Sequence, residues 1–351
     1  MSAIQNRLAG PLLHLGALAL AGCCAAASAS AQPAADFYKG KSMSFVIGYS
    51  AGGGYDTYAR HVARHMGKHI PGSPQIVPRN MPGGGGRVAA AYLYNVAPKD
   101  GTVLCTADQS LPLQQAMGDT SIKFDNSQFT WIGNPNASNN VTAIWHTAGI
   151  KTFDDARKKE IAIGATGNNT SAQYPIVMNA VLGTKFKVIM GYPGGNDINL
   201  AMERGEVAGR GSNNWVSWKA TRPNWLAENK IDIIVQIGLK REPDLPNVPM
   251  LTDLATNDED RVLLALLSAP VAIGRPVFST PGLPADRLAA LRAAFDATMK
   301  DEEFLAEAKK IDLDIIPVSG AELEKVVREV IAAPKPVAER LAKIIATVEE
   351  K

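Results

Sequence analysis

The stretch Gly48-Tyr49-Ser50-Ala51-Gly52-Gly53-Gly54-Tyr55-Asp56 sets the reading of this chain. Before it, residues 43–49 form a short apolar run of the length of a buried strand. After it, Tyr55, Ala59, Val62, Ala63 and Met66 fall at helical spacing. A strand therefore ends in a glycine-rich turn that opens a helix. Glycines let the backbone turn tightly and bring N–H groups close to a ligand. The helix start leaves N–H groups unpaired and carries partial positive charge, which suits an anion.

The same strand, loop and helix unit recurs. Strands are expected at 74–81, 102–107 and 129–134, with helices at 87–94 and 111–117 between them. A second series places strands at 141–146, 161–165, 187–192, 206–209 and 232–237. Its helices cover 172–182 and 197–204, plus a short one that Thr152 and Asp155 start as a capping box. The last part has a strand at 271–277. A helix over 284–300 follows, with Leu288, Leu291, Phe295 and Met299 on one face. Ser319 and Glu322 open another, and Pro334 and Pro336 separate it from a final one. Alternation of this kind predicts an α/β protein whose sheets are mostly parallel and covered by helices on both faces.

In such folds ligands sit at the carboxyl ends of strands. Four of these ends are rich in small and polar residues: the first loop, Thr166-Gly167-Asn168-Asn169-Thr170-Ser171, Tyr192-Pro193-Gly194-Gly195-Asn196-Asp197, and Gln109-Ser110. Singly each is ordinary turn chemistry. Together, in register with strand ends, they read as one site for a carboxylate. Trp145, Trp215 and Trp218 are divided between core and pocket, with Trp215, beside Asn213 and Asn214, the better candidate for a pocket wall.

Residues 1–31 read as an export signal. Arg7 is their only charge, residues 8–21 are apolar, and Ala29-Ser30-Ala31 suits cleavage. Leu20-Ala21-Gly22-Cys23 also resembles a lipobox, which would leave a lipid anchor at Cys23. Release after Ala31 is the reading preferred. Either route places the protein outside the cytoplasmic membrane, in the periplasm. Release leaves Cys105 as the only cysteine, so no disulfide forms within the chain. The net charge of +2 falls to +1 without Arg7, and aromatic residues make up 6% of the chain. Neither value suits a nucleic-acid surface. The roughly 320 residues that remain are enough for two domains, each with its own core.

Other chemistries fit less well. Gly48-Tyr49-Ser50-Ala51-Gly52 has the G-x-S-x-G form of a nucleophile elbow, which makes a secreted serine hydrolase using Ser50 the alternative. That enzyme needs a later acid and then a His, and the last His is His146. The glycines do not match G-x-G-x-x-G, because Tyr55 and Thr57 stand where the third Gly belongs, and no P-loop Lys follows. Pro82-Gly83-Gly84-Gly85-Gly86 reads as a tight backbone crossing near the domain surface. His61, His65 and His69 are spaced by four among Arg60, Arg64 and Lys68, and read as a solvated basic face without a metal.

These motifs resemble a family, the Bug-type substrate-binding receptors of tripartite tricarboxylate transporters. Residues 48–60 look like its first ligand loop. Asn80-Met81-Pro82-Gly83-Gly84-Gly85-Gly86 is similar to its N-x-PG-x-GG segment, and Ala97-Pro98-Lys99-Asp100-Gly101-Thr102 to its P-D-G-T-like turn. Gly205-Glu206-Val207 and Ser279-Thr280-Pro281 also fall where expected. The resemblance implies a two-domain clamshell of the type II periplasmic-binding-protein fold. Residues 36–137 plus 269–351 would form one domain and 138–268 the other. It implies a monomer that captures a small organic acid between them and passes it to membrane permease subunits, without catalysis, metal or cofactor. A ligand sensor feeding a signalling partner is a further alternative. The resemblance places ligand contacts on 50–56 and 166–171; with the other strand ends, the candidate ligand set is Tyr49, Ser50, Ala51, Gly52, Gly53, Gly54, Tyr55, Asp56, Gln109, Thr166, Gly167, Asn168, Asn169, Thr170, Ser171, Tyr192, Gly194, Asn196, Arg210 and Asn213. The chain departs from the pattern at Ser50-Ala51-Gly52, where many members carry Pro-Gly-Gly, and at Ala208, where an Asp often stands. Arg210 follows closely and would grip a carboxylate through two N–H groups, unless it serves a surface or interdomain salt bridge.

Overall fold

The run 43–49 forms its strand where expected, and most of the apolar runs that follow do the same within a few residues. The computed structural model describes residues 34–346, which fall in one compact unit. The export signal and both candidate cleavage sites lie outside the described residues. Among those residues, β1 (Ser42–Ile47), β2 (Gln75–Asn80), β3 (Val103–Thr106), β4 (Thr130–Asn134), β10 (Val277–Ser279) and β11 (Val318–Ser319) make one sheet, in the order β11-β4-β10-β3-β1-β2. A second sheet holds β5 (Asn140–Trp145), β6 (Ile161–Gly164), β7 (Phe186–Ile189), β8 (Gly209–Asn214) and β9 (Ile231–Ile237), in the order β7-β6-β8-β5-β9. Each sheet carries helices that bury its apolar strands.

The expectation of mostly parallel sheets needs correction, because both are mixed. β2-β1-β3 and β7-β6-β8 are parallel, and each of these strand pairs is linked through a helix. β10, β4 and β11 pair antiparallel in the first sheet, and β5 pairs antiparallel with both β8 and β9 in the second. The chain passes from β4 to β5 through residues 135–139 with no helix between. A strand that enters a sheet without a crossover helix need not run parallel to its neighbours.

Two strand expectations fail. The strand read at 206–209 begins only at Gly209 and continues through Asn214. Its sequence, Gly-Arg-Gly-Ser-Asn-Asn, has no strand propensity. Position decides instead: β8 lies between β6 and β5, and five of its six residues are buried. Glycine is required there, since a Cβ on Gly211 would stand 2.8 Å from the Ser171 carbonyl and from Pro175. The strand read at 271–277 is a 3-10 turn over Ala269–Ala272, and pairing starts at Val277.

The histidine face is not solvated. His61 and His65 are 2% and 3% exposed and pack on Phe304 of the helix Glu302–Lys310. Acids of that second helix supply the partners that a sequence periodicity cannot reveal. Trp218 and Trp225 are fully buried in the second sheet's core, and Trp215 is buried there too.

Candidate functional site

Strand geometry delivers the predicted loops to one place. β1 and β3 are parallel neighbours, so the loops after Ile47 and Thr106 leave the first sheet at the same edge. β6 and β7 do the same for the second sheet. The two sets then touch. Ser50 N–H donates to the Pro193 carbonyl (3.2 Å), and Ser50 Oγ donates to the Asp197 carboxylate. Asn169 Nδ2 donates to Tyr49 Oη (3.1 Å) and to the Gly85 carbonyl (3.2 Å). Thr170 Oγ1 donates to Asp108 Oδ2 (3.2 Å), which also accepts from Tyr49 Oη (2.8 Å).

The run Gly83-Gly84-Gly85-Gly86 is part of this junction rather than a surface crossing. All four glycines have positive φ, and a Cβ on Gly85 would lie 2.6 Å from Asn169 Nδ2. Only glycine lets the backbone carbonyl of residue 85 meet both Tyr49 and Asn169.

Three of the helices that start at the junction differ in how their first N–H groups are met. Asn169 caps the helix Thr170–Leu182, accepting from Ser171 N–H (3.0 Å). Ser171 Oγ accepts from Thr166 N–H (2.9 Å) and donates to Asn169 Oδ1 (2.6 Å). The loop 166–171 thus satisfies itself. The helices Gly54–Met66 and Gly195–Glu203 start after Gly53 and Gly194, and neither has a side-chain cap. A Cβ on Gly53 would lie 3.5 Å from Gly195 N, so these two open helix starts face each other. Each concentrates positive partial charge at its end.

Guanidinium groups add full charges. Arg210 of β8 lies against Gly195, so closely that a Cβ there would overlap its terminal nitrogens. Arg275 sits 4.1 Å above the Tyr55 ring and donates from Nη2 to Ser217 Oγ (2.8 Å). Tyr55 in turn stacks on Tyr49 at 4.7 Å. Arg222 donates to Asn196 Oδ1 and to its neighbour's carbonyl. None of the three makes an ion pair with a carboxylate among the described residues. The Nε groups of Arg210 and Arg275 are buried without an acceptor, as are Gln109 Nε2 and Asn213 Nδ2. Burial pushes the Arg210 guanidinium well below its ordinary value, and Arg275 and Arg222 add like-charge repulsion. It remains a cation at neutral pH. Burial and then the Asp108 carboxylate raise Tyr49 and Tyr55 far above ordinary tyrosine, so both stay neutral donors.

The predicted residues divide accordingly. Tyr49, Ser50, Gly53, Gly54, Tyr55, Gln109, Gly194, Asn196 and Arg210 meet at or beside the open helix starts. Ala51 and Gly52 form an exposed rim. Asp56 braces its own loop: its carboxylate accepts from Gly52 N–H, Arg60 Nε and Asn80 Nδ2. Thr166, Gly167, Asn168, Asn169, Thr170 and Ser171 lie at the junction but are engaged with one another, with Tyr49, Gly85 and Asp108, and with Arg87, which donates to the Asn168 carbonyl (3.2 Å). Tyr192 packs over Gly164. Asn213 is buried on β8. Trp218, at 5.6 Å, rather than Trp215, lies under Arg210. Trp215 instead donates to Asp244 (3.1 Å).

Sequence reading missed Asp108, Arg222 and Arg275. Arg275 left a signal: it is the lone charge in the apolar run 269–278. A charge in such a run is buried with a purpose or not buried at all.

No catalytic constellation surrounds Ser50. Its hydroxyl serves Asp197, and the described histidines stand elsewhere, three against the helix Glu302–Lys310 and His146 after β5.

No family model matches the chain. It is 25% identical over 341 residues to the "UPF0065 protein in gbd 5'region" of Cupriavidus necator, covering 92% of this chain and 96% of that one. Among solved structures it resembles an R. palustris protein with adipate (TM-score 0.67, 18% identity, 88% of this chain and 98% of that one). It also resembles MatC from Rhodopseudomonas palustris with bound malate (0.68, 18%, 87% and 99%). The periplasmic binding protein BugD superposes equally well (0.68, 17%, 88% and 98%). The chain is therefore a homologue of the UPF0065 protein, with the fold of Bug-type periplasmic solute-binding proteins.

Proposed function

We propose that this protein is an extracytoplasmic receptor for a small organic dicarboxylate. One carboxylate would sit beside the open starts of Gly54–Met66 and Gly195–Glu203, and the other against Arg210 and Arg275. The observation that carries this reading is the pair of guanidiniums, Arg275 buried and Arg210 partly buried, whose Nε groups are enclosed and which have no carboxylate partner among the described residues. A buried charge left unpaired is costly, by several kcal/mol on the order of a broken ion pair. A dianionic guest relieves it, through charge-assisted hydrogen bonds that need no metal. Adipate and malate, bound by the two R. palustris relatives, belong to this class.

The rest of the reading follows from that role. Strands β1–β4, β10 and β11 belong with residues 36–137 and 269–351, and β5–β9 with 138–268. This supports two domains that close over the ligand, with contacts available only in the shut state driving closure. Ser50–Pro193, Asn169–Tyr49 and Thr170–Asp108 are contacts of that kind. The mature protein would work in the periplasm and deliver its ligand to membrane permease subunits. Among the described residues no helix is long and apolar enough to cross a membrane.

A thermal-shift screen of mono-, di- and tricarboxylates tests the class. A true ligand at 100 times its dissociation constant stabilises the fold by about 2.7 kcal/mol. A screen in which no dicarboxylate raises the melting temperature would end this reading.

A further inference from the structure

The helix Gly54–Met66 opens the anion loop at one end, and its far half lies on the helix Glu302–Lys310. On that seam His61 Nε2 lies 2.9 Å from the Phe304 carbonyl oxygen and donates to it. In a neutral imidazole this leaves the lone pair on Nδ1. That atom is buried and has no hydrogen-bond partner. It stands 4.0 Å from Glu307 Oε2. His65, one turn along the same helix, places Nε2 at 3.0 Å from the same oxygen. The three ligand atoms all lie within 4.8 Å of one another.

We propose that His61 Nδ1, His65 Nε2 and Glu307 Oε2 bind a divalent transition-metal cation of the Zn2+ type. Two imidazoles and one carboxylate are a donor set that borderline cations prefer over Mg2+ or Ca2+. The spacing needs only small movements to reach ligand distances of about 2.0–2.2 Å. The bond from His61 Nε2 to a backbone carbonyl is the outer contact that orients metal-bound imidazoles and fixes their tautomer. The His61 ring is further held by stacking on Phe304 at 4.4 Å.

Two cations stand nearby. Arg64 reaches Glu307 Oε2 at 2.7 Å, but its side chain is 62% exposed. Releasing an exposed pair costs little. Lys68 is already held by Asp301 (2.9 Å) and Glu303 (2.8 Å). Glu303 Oε2 also lies 3.9 Å from His65 Nδ1. A bound cation would tie the helix that begins at the anion loop to the helix Glu302–Lys310. The proposal is independent of which acid the cleft takes.

The test uses full-length mature protein without a histidine tag, stripped with chelator and titrated with Zn2+ by calorimetry, with Co2+ as an absorbance reporter. One equivalent of Zn2+ should bind, Co2+ should give the visible absorption of a low-symmetry imidazole site, and both Glu307→Gln and His61→Ala should weaken binding about tenfold or more. If His61→Ala fails to fold, Glu307→Gln on the accessible rim and the Co2+ spectrum still decide. Absence of stoichiometric uptake, or uptake unchanged by Glu307→Gln, would overturn the proposal.

Discussion

The junctions at 166–171 and 193–197 look alike as sequence, each a strand followed by small polar residues and a helix. In the folded protein they differ. The first meets its own N–H groups with Asn169 and Ser171, whereas the second starts on glycine and presents its helix end to Arg210 and to Gly53. A capped helix start is a brace, and an uncapped one beside a buried cation is a receptor for charge. On the proposed function, the first loop holds the two sets of elements together and the second meets the ligand.

The comparison can be broken by altering each junction. Gly195→Ala should have the largest effect, because its methyl displaces the Arg210 guanidinium. Loss of a buried charged contact of about 2 kcal/mol or more predicts dicarboxylate binding weaker by about thirtyfold, read by calorimetry. Gly53→Asn turns an open start into a capped one, and residue 53 already has the extended backbone of a cap. Its melting temperature should rise while affinity falls about tenfold, the loss of one to two hydrogen bonds. Asn169→Ala removes the brace. Stability should drop by about 1 kcal/mol in denaturant titration, with a smaller change in affinity. Ser50→Ala should be mildest: a hydrogen bond worth about 1 kcal/mol is lost, affinity shifts a fewfold, and esterase assays of both proteins should read the same background.

Much of this was legible in the sequence. The strand-to-helix loops, the capping box at Thr152 and Asp155 and the amphipathic face with Leu291 and Phe295 follow from periodicity and turn chemistry, and all form as read. Four features were not legible, for physical reasons. β8 is a strand only because its neighbours on both sides make it one. Asn169 caps its own helix, and no residue pattern tells a cap from a ligand contact. Asp56 looks like a ligand residue beside a glycine loop, yet Asn80 and Arg60, distant or a turn away, consume its oxygens. The histidine seam was misread because its acids lie more than 230 residues further along the chain.

The most direct measurement is a calorimetric comparison of one dicarboxylate and its half-amide on the wild type and on Arg210→Met. Two buried cations waiting for a doubly charged guest predict that the wild type prefers the diacid by about tenfold or more, and that Arg210→Met loses this preference while its ligand-free fold is no less stable. Equal affinity of both proteins for the diacid, with the preference intact, would contradict the account.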